Sequence, residues 1–188
     1  MNEKLSGKVA PSLLRRDDTV LVVIDVQQRL LPVIEGGEKL VGNLAKLLRF
    51  ARIIGLPVVV TEQHNLGATV PDLRDEMEDL HPIGKIDFDC FRCGEFAAKV
   101  SDLGRRTLVL TGIEAHICVC QTALHALAKF SVHVVADAVS SRTADNHRIA
   151  LERMRQSGVT VSSTEMVIYE LLERAGTDEF REALKLVK

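Results

Sequence analysis

The sequence predicts a three-layer α/β domain: a parallel sheet with helices on both faces. Short β-branched runs alternate with longer stretches whose apolar residues recur at helical spacing, the pattern of strand–helix–strand units. The strand runs are continuously apolar, as expected when both faces of a strand are covered. The 188 residues, 46% apolar and 27% charged, fit one ordinary globular domain with a sizeable core. No internal repeat, low-complexity tract or linker interrupts the chain, so a single domain over 1–188 is expected.

The first strand is TVLVVIDV (19–26). Leu40, Leu44, Leu47, Leu48, Ala51 and Ile54 then recur at helical spacing, and Gly55 is a stop signal. LPVVVT (56–61) is the second strand. The span 62–104 is turn-rich, with a short strand near HPIGKID and a helix around Glu95–Asp102. TLVLTG (107–112) is the next strand, followed by a helix from about Ile117 to Lys129. SVHVVADAV (131–139) is a strand. Thr143 caps a helix running to Gln156, ended by Gly158, and VTVSS (159–163) is the last strand. A final short helix starts at Thr177, where Asp178 and Glu179 complement the positive end of the helix dipole.

The 24 basic and 26 acidic residues are scattered along the chain and leave a formal charge of −2. With no basic block, nucleic-acid binding is not expected. No apolar run approaches the roughly 18 residues of a membrane span, and the N-terminal stretch has no apolar segment of signal-peptide length. Four cysteines in a chain of this size do not make a secreted disulfide framework. The expectation is a reducing compartment, the cytoplasm, with free thiols.

In open α/β sheets ligands bind beyond the carboxyl ends of the strands, where strand order reverses. Asp25 ends the most apolar run, and a carboxylate there is costly unless hydrogen-bonded, paired or used. From position alone it reads equally as a cap. Cys118 lies in the first turn of its helix, near unpaired N–H groups that favour a thiolate and can hold an oxyanion. Packing is the alternative reading. Cys120, Ala123, Leu124, Leu127 and Ala128 form an apolar stripe, which turns Cys120 to the core and sets Cys118 apart with Gln121, Thr122 and His125. Lys85 stands in an apolar, turn-rich segment and by itself reads as a solvated lysine.

Taken together, these residues resemble the isochorismatase-like cysteine hydrolases. The resemblance is carried by IDVQ (Asp25, Gln27), by Lys85, and by TGIEAHIC ending at Cys118. VVVTEQHN, ATVPDL, VVADAVSSR and ALERMRQSG extend it over nearly the whole chain, closest to the isochorismatase domain-containing proteins. It implies a six-stranded, Rossmann-like parallel sheet carrying an Asp–Lys–Cys triad. Cys118 is then the nucleophile, Asp25 the general base and later acid, and Lys85 the cation that favours the thiolate. It also implies a cis Ile113–Glu114 peptide, with backbone N–H groups near Glu114 and Cys118 as the oxyanion hole. A small-molecule substrate and a homo-oligomer follow from the same resemblance. Gln27, His64, Phe88 and Ile113 are candidates for the substrate pocket.

A complete triad favours cleavage of a C–N bond, in an amide, ureide or carbamoyl group, over the vinyl-ether hydrolysis of isochorismate. A catalytically quiet member acting through protein contacts is the other class of reading. Glu62 and His64 have an i, i+2 spacing, but the aspartate–histidine pairing of the nicotinamidase branch is missing, so no metal and no cofactor are expected. Cys90 and Cys93 match C-x-x-C without the further ligands a zinc site needs or the placement of a redox motif. They are expected to shape the pocket beside Lys85. His125 lies about 10 Å along the helix from Cys118, too far for a Cys–His pair, and reads as a partly buried or interface histidine. Arg142, Asn146 and His147 follow a strand end and read as a pocket rim or a subunit contact, and SSR (140–142) as a cap of the following helix, the reading favoured.

Overall fold

The computed structural model describes residues 13–77 and 81–187. Six strands, β1 (Thr19–Ile24), β2 (Val58–Gln63), β3 (Ile83–Lys85), β4 (Thr107–Ile113), β5 (Ser131–Ser140) and β6 (Thr160–Ser162), form one sheet in the order β3-β2-β1-β4-β5-β6. Every neighbouring pair is parallel. The helices are α1 (Gly37–Ile54), α2 (Pro71–Arg74), α3 (Gly94–Asp102), α4 (Cys120–Ala126), α5 (Ala144–Gln156), α6 (Thr164–Leu172) and α7 (Asp178–Val187). A π-helical turn, Ala115–Val119, leads into α4.

All six residues of β1 are buried. Leu21 and Val23 point into a core shared with α1, α6 and α7, while Val20, Val22 and Ile24 join the opposite core with α3, α4 and α5. Two covered faces explain why this strand reads as an unbroken apolar run, since successive side chains alternate between them. Burying one such side chain fully contributes about 1.5–3 kcal/mol. Gly55 ends α1 in the left-handed conformation, φ 64°, and its N–H returns to the last turn, the C-terminal stop expected of glycine.

The chain moves outward from β1 through β2 to β3, then returns to the other side of β1 to build β4, β5 and β6. The order of strands therefore reverses between β1 and β4, and the crevice beyond their carboxyl ends is where such folds accept ligands. Gly112 makes this junction possible. Its φ is +102°, and a Cβ there would lie 2.1 Å from the Ile24 carbonyl oxygen, so no larger residue lets β4 approach β1 beside Asp25.

The elements depart from the sequence reading in identifiable places. The sequence pattern predicts a strand over 159–163 and no element over 164–172, where α6 lies. Ser163 is the N-cap of that helix, accepting a hydrogen bond from the Met166 N–H at 3.3 Å. The helix expected over 117–129 is a π turn followed by seven α-helical residues, and Ala128, expected in its apolar stripe, is exposed because the chain has already left the helix. Thr143 and Thr177 do act as caps, accepting from Asn146 N–H at 3.3 Å and Phe180 N–H at 3.0 Å.

Candidate active site

Asp25 follows β1 directly. Its φ of 54° is a left-handed conformation that aspartate tolerates better than most residues. The carboxylate is fully buried and both oxygens are engaged. Oδ1 accepts from Thr61 Oγ1 at 2.8 Å, and Oδ2 accepts from Lys85 Nζ at 2.6 Å. Lys85, at the end of β3, also has a fully buried side chain. Its ammonium donates to Asp25, to Gln63 Oε1 at 2.6 Å and to the Asp87 carbonyl at 3.2 Å. An ammonium has three donors, so all are in use. Burial opposes the charge on Lys85, yet the Asp25 carboxylate, which pairs with it and accepts its hydrogen bond, more than offsets this and raises its pKa.

Cys118 sits in the π turn after β4 and is buried against the α3–α5 core. The turn is closed by the Ile117 and Val119 N–H groups, which donate to the Glu114 carbonyl at 3.1 and 3.2 Å. The Ile113–Glu114 peptide is cis. Burial foremost, and then the Asp25 carboxylate, push the Cys118 thiol far above its ordinary value, while Lys85 pulls the other way without prevailing. This direction runs against the expectation that Lys85 favours the thiolate. Lys85 is neutralised by Asp25, and a second anion in the same dry enclosure is unfavourable, so the thiol keeps its proton. Cys90 belongs to the same group. It is fully buried, its N–H donates to Thr122 Oγ1 at 3.0 Å, and burial raises its thiol to about 12.

The remaining sequence candidates fall into different places. Gln27 is a clamp rather than a pocket wall: Nε2 donates to the Gln63 and Gly67 carbonyls at 3.0 and 2.6 Å, and Oε1 accepts from Gln63 N–H at 2.8 Å. Ile113 packs its side chain in the α1 core, so it is no pocket wall either. His64 is exposed and meets the site only through its N–H, which donates to the Lys85 carbonyl at 2.8 Å. The Glu62 carboxylate holds the loop by accepting from the N–H and Oγ1 of Thr69 at 2.6 and 2.7 Å. Phe88, 53% exposed, lines a depression of about 500 Å³ with Ile86, Asp87, Asp89, Arg92, Gln121 and Leu124. It adjoins the site through Asp87, the residue whose carbonyl accepts from Lys85. A larger depression of about 810 Å³, between α1 and α2, contains none of Asp25, Lys85 or Cys118.

The His125 side chain is 52% exposed, and its Nδ1 lies 2.7 Å from the buried Asp89 carboxylate. That contact ties α4 to the segment carrying Cys90. Cys93 is half-buried and free. Arg142 is not the helix cap, which is Thr143; its N–H and Nε donate to the Glu114 carboxylate at 3.1 and 3.0 Å. Sequence reasoning did not select Thr61, Gln63 or Gly112. Thr61 and Gln63 carried the same signal as Asp25, a polar group at the carboxyl end of a buried strand.

Comparison with known proteins agrees with this arrangement of elements. The isochorismatase domain model matches residues 19–166. A secreted isochorismatase effector, Isc1, of Phytophthora sojae is 40% identical, covering 90% of this chain and 84% of its own. Isochorismatase domain-containing protein 2 of Danio rerio is 38% identical, over 90% of this chain and 86% of that one. The solved structure of MAR1 ribonuclease from Caenorhabditis elegans superposes with a TM-score of 0.87 at 31% identity, covering 94% of this chain and 92% of the other. Among the described residues no helix is long and apolar enough to cross a membrane. With its domain match over most of the chain and relatives of this similarity, the protein belongs to the isochorismatase family of hydrolases.

Proposed function

We propose that the protein is a metal-independent cysteine hydrolase that cleaves a C–N bond of a small amide, ureide or carbamoyl substrate through a thioester on Cys118. The reading is carried by the buried Lys85–Asp25 ion pair beside a buried thiol at the β1/β4 reversal. Two charges removed from water cost several kcal/mol per ion before their attraction is counted, and a proton acceptor held next to a nucleophile is a use that fits them. All three Lys85 donors are engaged within the protein. Lys85 therefore serves by compensating and orienting Asp25, not by donating to substrate.

The steps follow from the resting thiol. As sulfur bonds to the substrate carbon, the thiol proton passes to the Asp25 carboxylate, and the carbonyl oxygen becomes an oxyanion facing the backbone N–H groups of Glu114 and Cys118. Collapse breaks the C–N bond, and the leaving nitrogen takes the proton from Asp25, leaving a thioester. Water then attacks the thioester carbon and gives a proton to Asp25. Collapse of this second adduct breaks the C–S bond, the acid product departs, and Asp25 returns its proton to the freed sulfur.

A panel of small amides, ureides, carbamoyl acids and a vinyl ether of the isochorismate type, tried on wild type and Cys118→Ala, tests this. The expected result is C–N hydrolysis lost in Cys118→Ala, with an acyl adduct on Cys118 by mass spectrometry. Vinyl-ether cleavage alone, or no turnover of any member, sinks the proposal. RNA belongs in the panel because of the nematode relative's name. Its cleavage by Cys118→Ala as well as wild type would place an activity outside this site. Free cysteines support a reducing compartment such as the cytoplasm, and exposed Ile149, Met166 and Tyr169 support a homo-oligomer, to be measured by sedimentation.

A further inference from the structure

We infer that Gln63 is a positioning residue that fixes Lys85 against Asp25. Its main chain is locked first. Gln27 Oε1 accepts from the Gln63 N–H at 2.8 Å and Gln27 Nε2 donates to the Gln63 carbonyl at 3.0 Å. From this anchored backbone the side chain reaches across to β3. Oε1 accepts from Lys85 Nζ at 2.6 Å and Nε2 donates to the Ile86 carbonyl at 2.5 Å. The orientation of the amide is unambiguous, since an ammonium only donates and a carbonyl only accepts. The Gln63 side chain thus holds both the head of Lys85 and the main chain one residue beyond it.

A neutral acceptor suits this place. Asp25 already balances the charge on Lys85, and a second carboxylate would compete for the ammonium. Without an acceptor at 63, one N–H of a buried ammonium is left unpaired, which costs more than an ordinary lost hydrogen bond. The ammonium then shifts toward other acceptors and away from its place among Asp25, Gln63 and the Asp87 carbonyl. Gln63 makes no hydrogen bond to the thiol or the carboxylate, so its effect on both passes through Lys85. The inference rests on the proposed triad for its relevance to turnover, but the geometry can be tested without a substrate.

The test is the pH dependence of Cys118 alkylation by iodoacetamide, followed by peptide mass spectrometry with Cys93 as internal reference. Gln63→Leu removes both side-chain hydrogen bonds, and Gln63→Glu keeps an acceptor for Lys85 while adding a competing charge. Either substitution weakens the pull of Lys85 on the thiol and is expected to slow alkylation about 3- to 10-fold on the rising limb, a profile moved alkaline by about half to one pH unit. In a background carrying Asp25→Asn with Lys85→Met, which removes the pair together, Gln63→Leu is expected to leave the profile in place. An unmoved profile in the wild-type background, with or without a lower melting temperature, overturns the inference. So does an equal shift in both backgrounds. Should Gln63→Leu not fold, Gln63→Glu decides. Failure of the substrate panel alone bears on the hydrolase reading and leaves this result untouched.

Discussion

At the scale of single residues, the chemistry turns on where one proton sits. The Cys118 thiol keeps it in the resting site because Asp25 is already the anion that Lys85 compensates. Asp25→Asn is expected to lower turnover by about 10²–10⁴-fold, the usual range for losing a positioned acid–base group, and also to lower stability, since it leaves the buried Lys85 ammonium without its counter-charge. Lys85→Met likewise leaves the buried Asp25 carboxylate uncompensated. A loss of about 3–5 kcal/mol is expected, measured by denaturant unfolding, and Asp25→Asn in the same chain should restore much of it. Gly112→Ala is expected not to yield a folded chain, as its Cβ would overlap the Ile24 main chain; a soluble variant with wild-type melting would contradict the packing described.

At the scale of elements, the sheet was legible because buried parallel strands write their burial into the sequence. TVLVVIDV and TLVLTG could hardly be anything else, and Asp25 and Cys118 stand out at the ends of such elements. Less visible was what short polar side chains do at boundaries. Ser163 extends VTVSS as a β-like residue in sequence, but its hydroxyl caps α6. Ser163→Ala is expected to cost about 1 kcal/mol, read as a lower melting temperature. Of the candidate site, the three charged or nucleophilic members could be picked out in the sequence and their supports could not. Thr61, Gln63 and Gln27 act through pairings 36 or 22 residues apart, which no local periodicity reveals. The resting protonation of Cys118 was hidden for a similar reason: it depends on burial and on which partner Lys85 already holds, both products of the assembled fold.

At the scale of the whole molecule, buried ionisable groups set the pH range of stability. Cys90 rises from an ordinary 9.0 to about 12, and Cys118, Cys120 and Lys85 are also raised. A group whose pKa is higher folded than unfolded contributes stability fully present below its unfolded value and lost as pH rises toward the folded one. Melting temperature should therefore fall above pH 9 and continue falling toward about 12, less steeply in Cys90→Ala. His133, buried on β5, is lowered by desolvation, so its contribution is present above pH 6.5 and lost as pH falls through the depressed value. The resulting stability plateau lies around neutrality, where the thiol–carboxylate–ammonium arrangement is intact. The most direct check on that arrangement is the pH profile of Cys118 alkylation in wild type and Asp25→Asn. Removing the carboxylate while keeping Lys85 should move the thiol's titration toward neutral pH even as hydrolysis disappears. A profile that stays in place or moves alkaline would contradict the account.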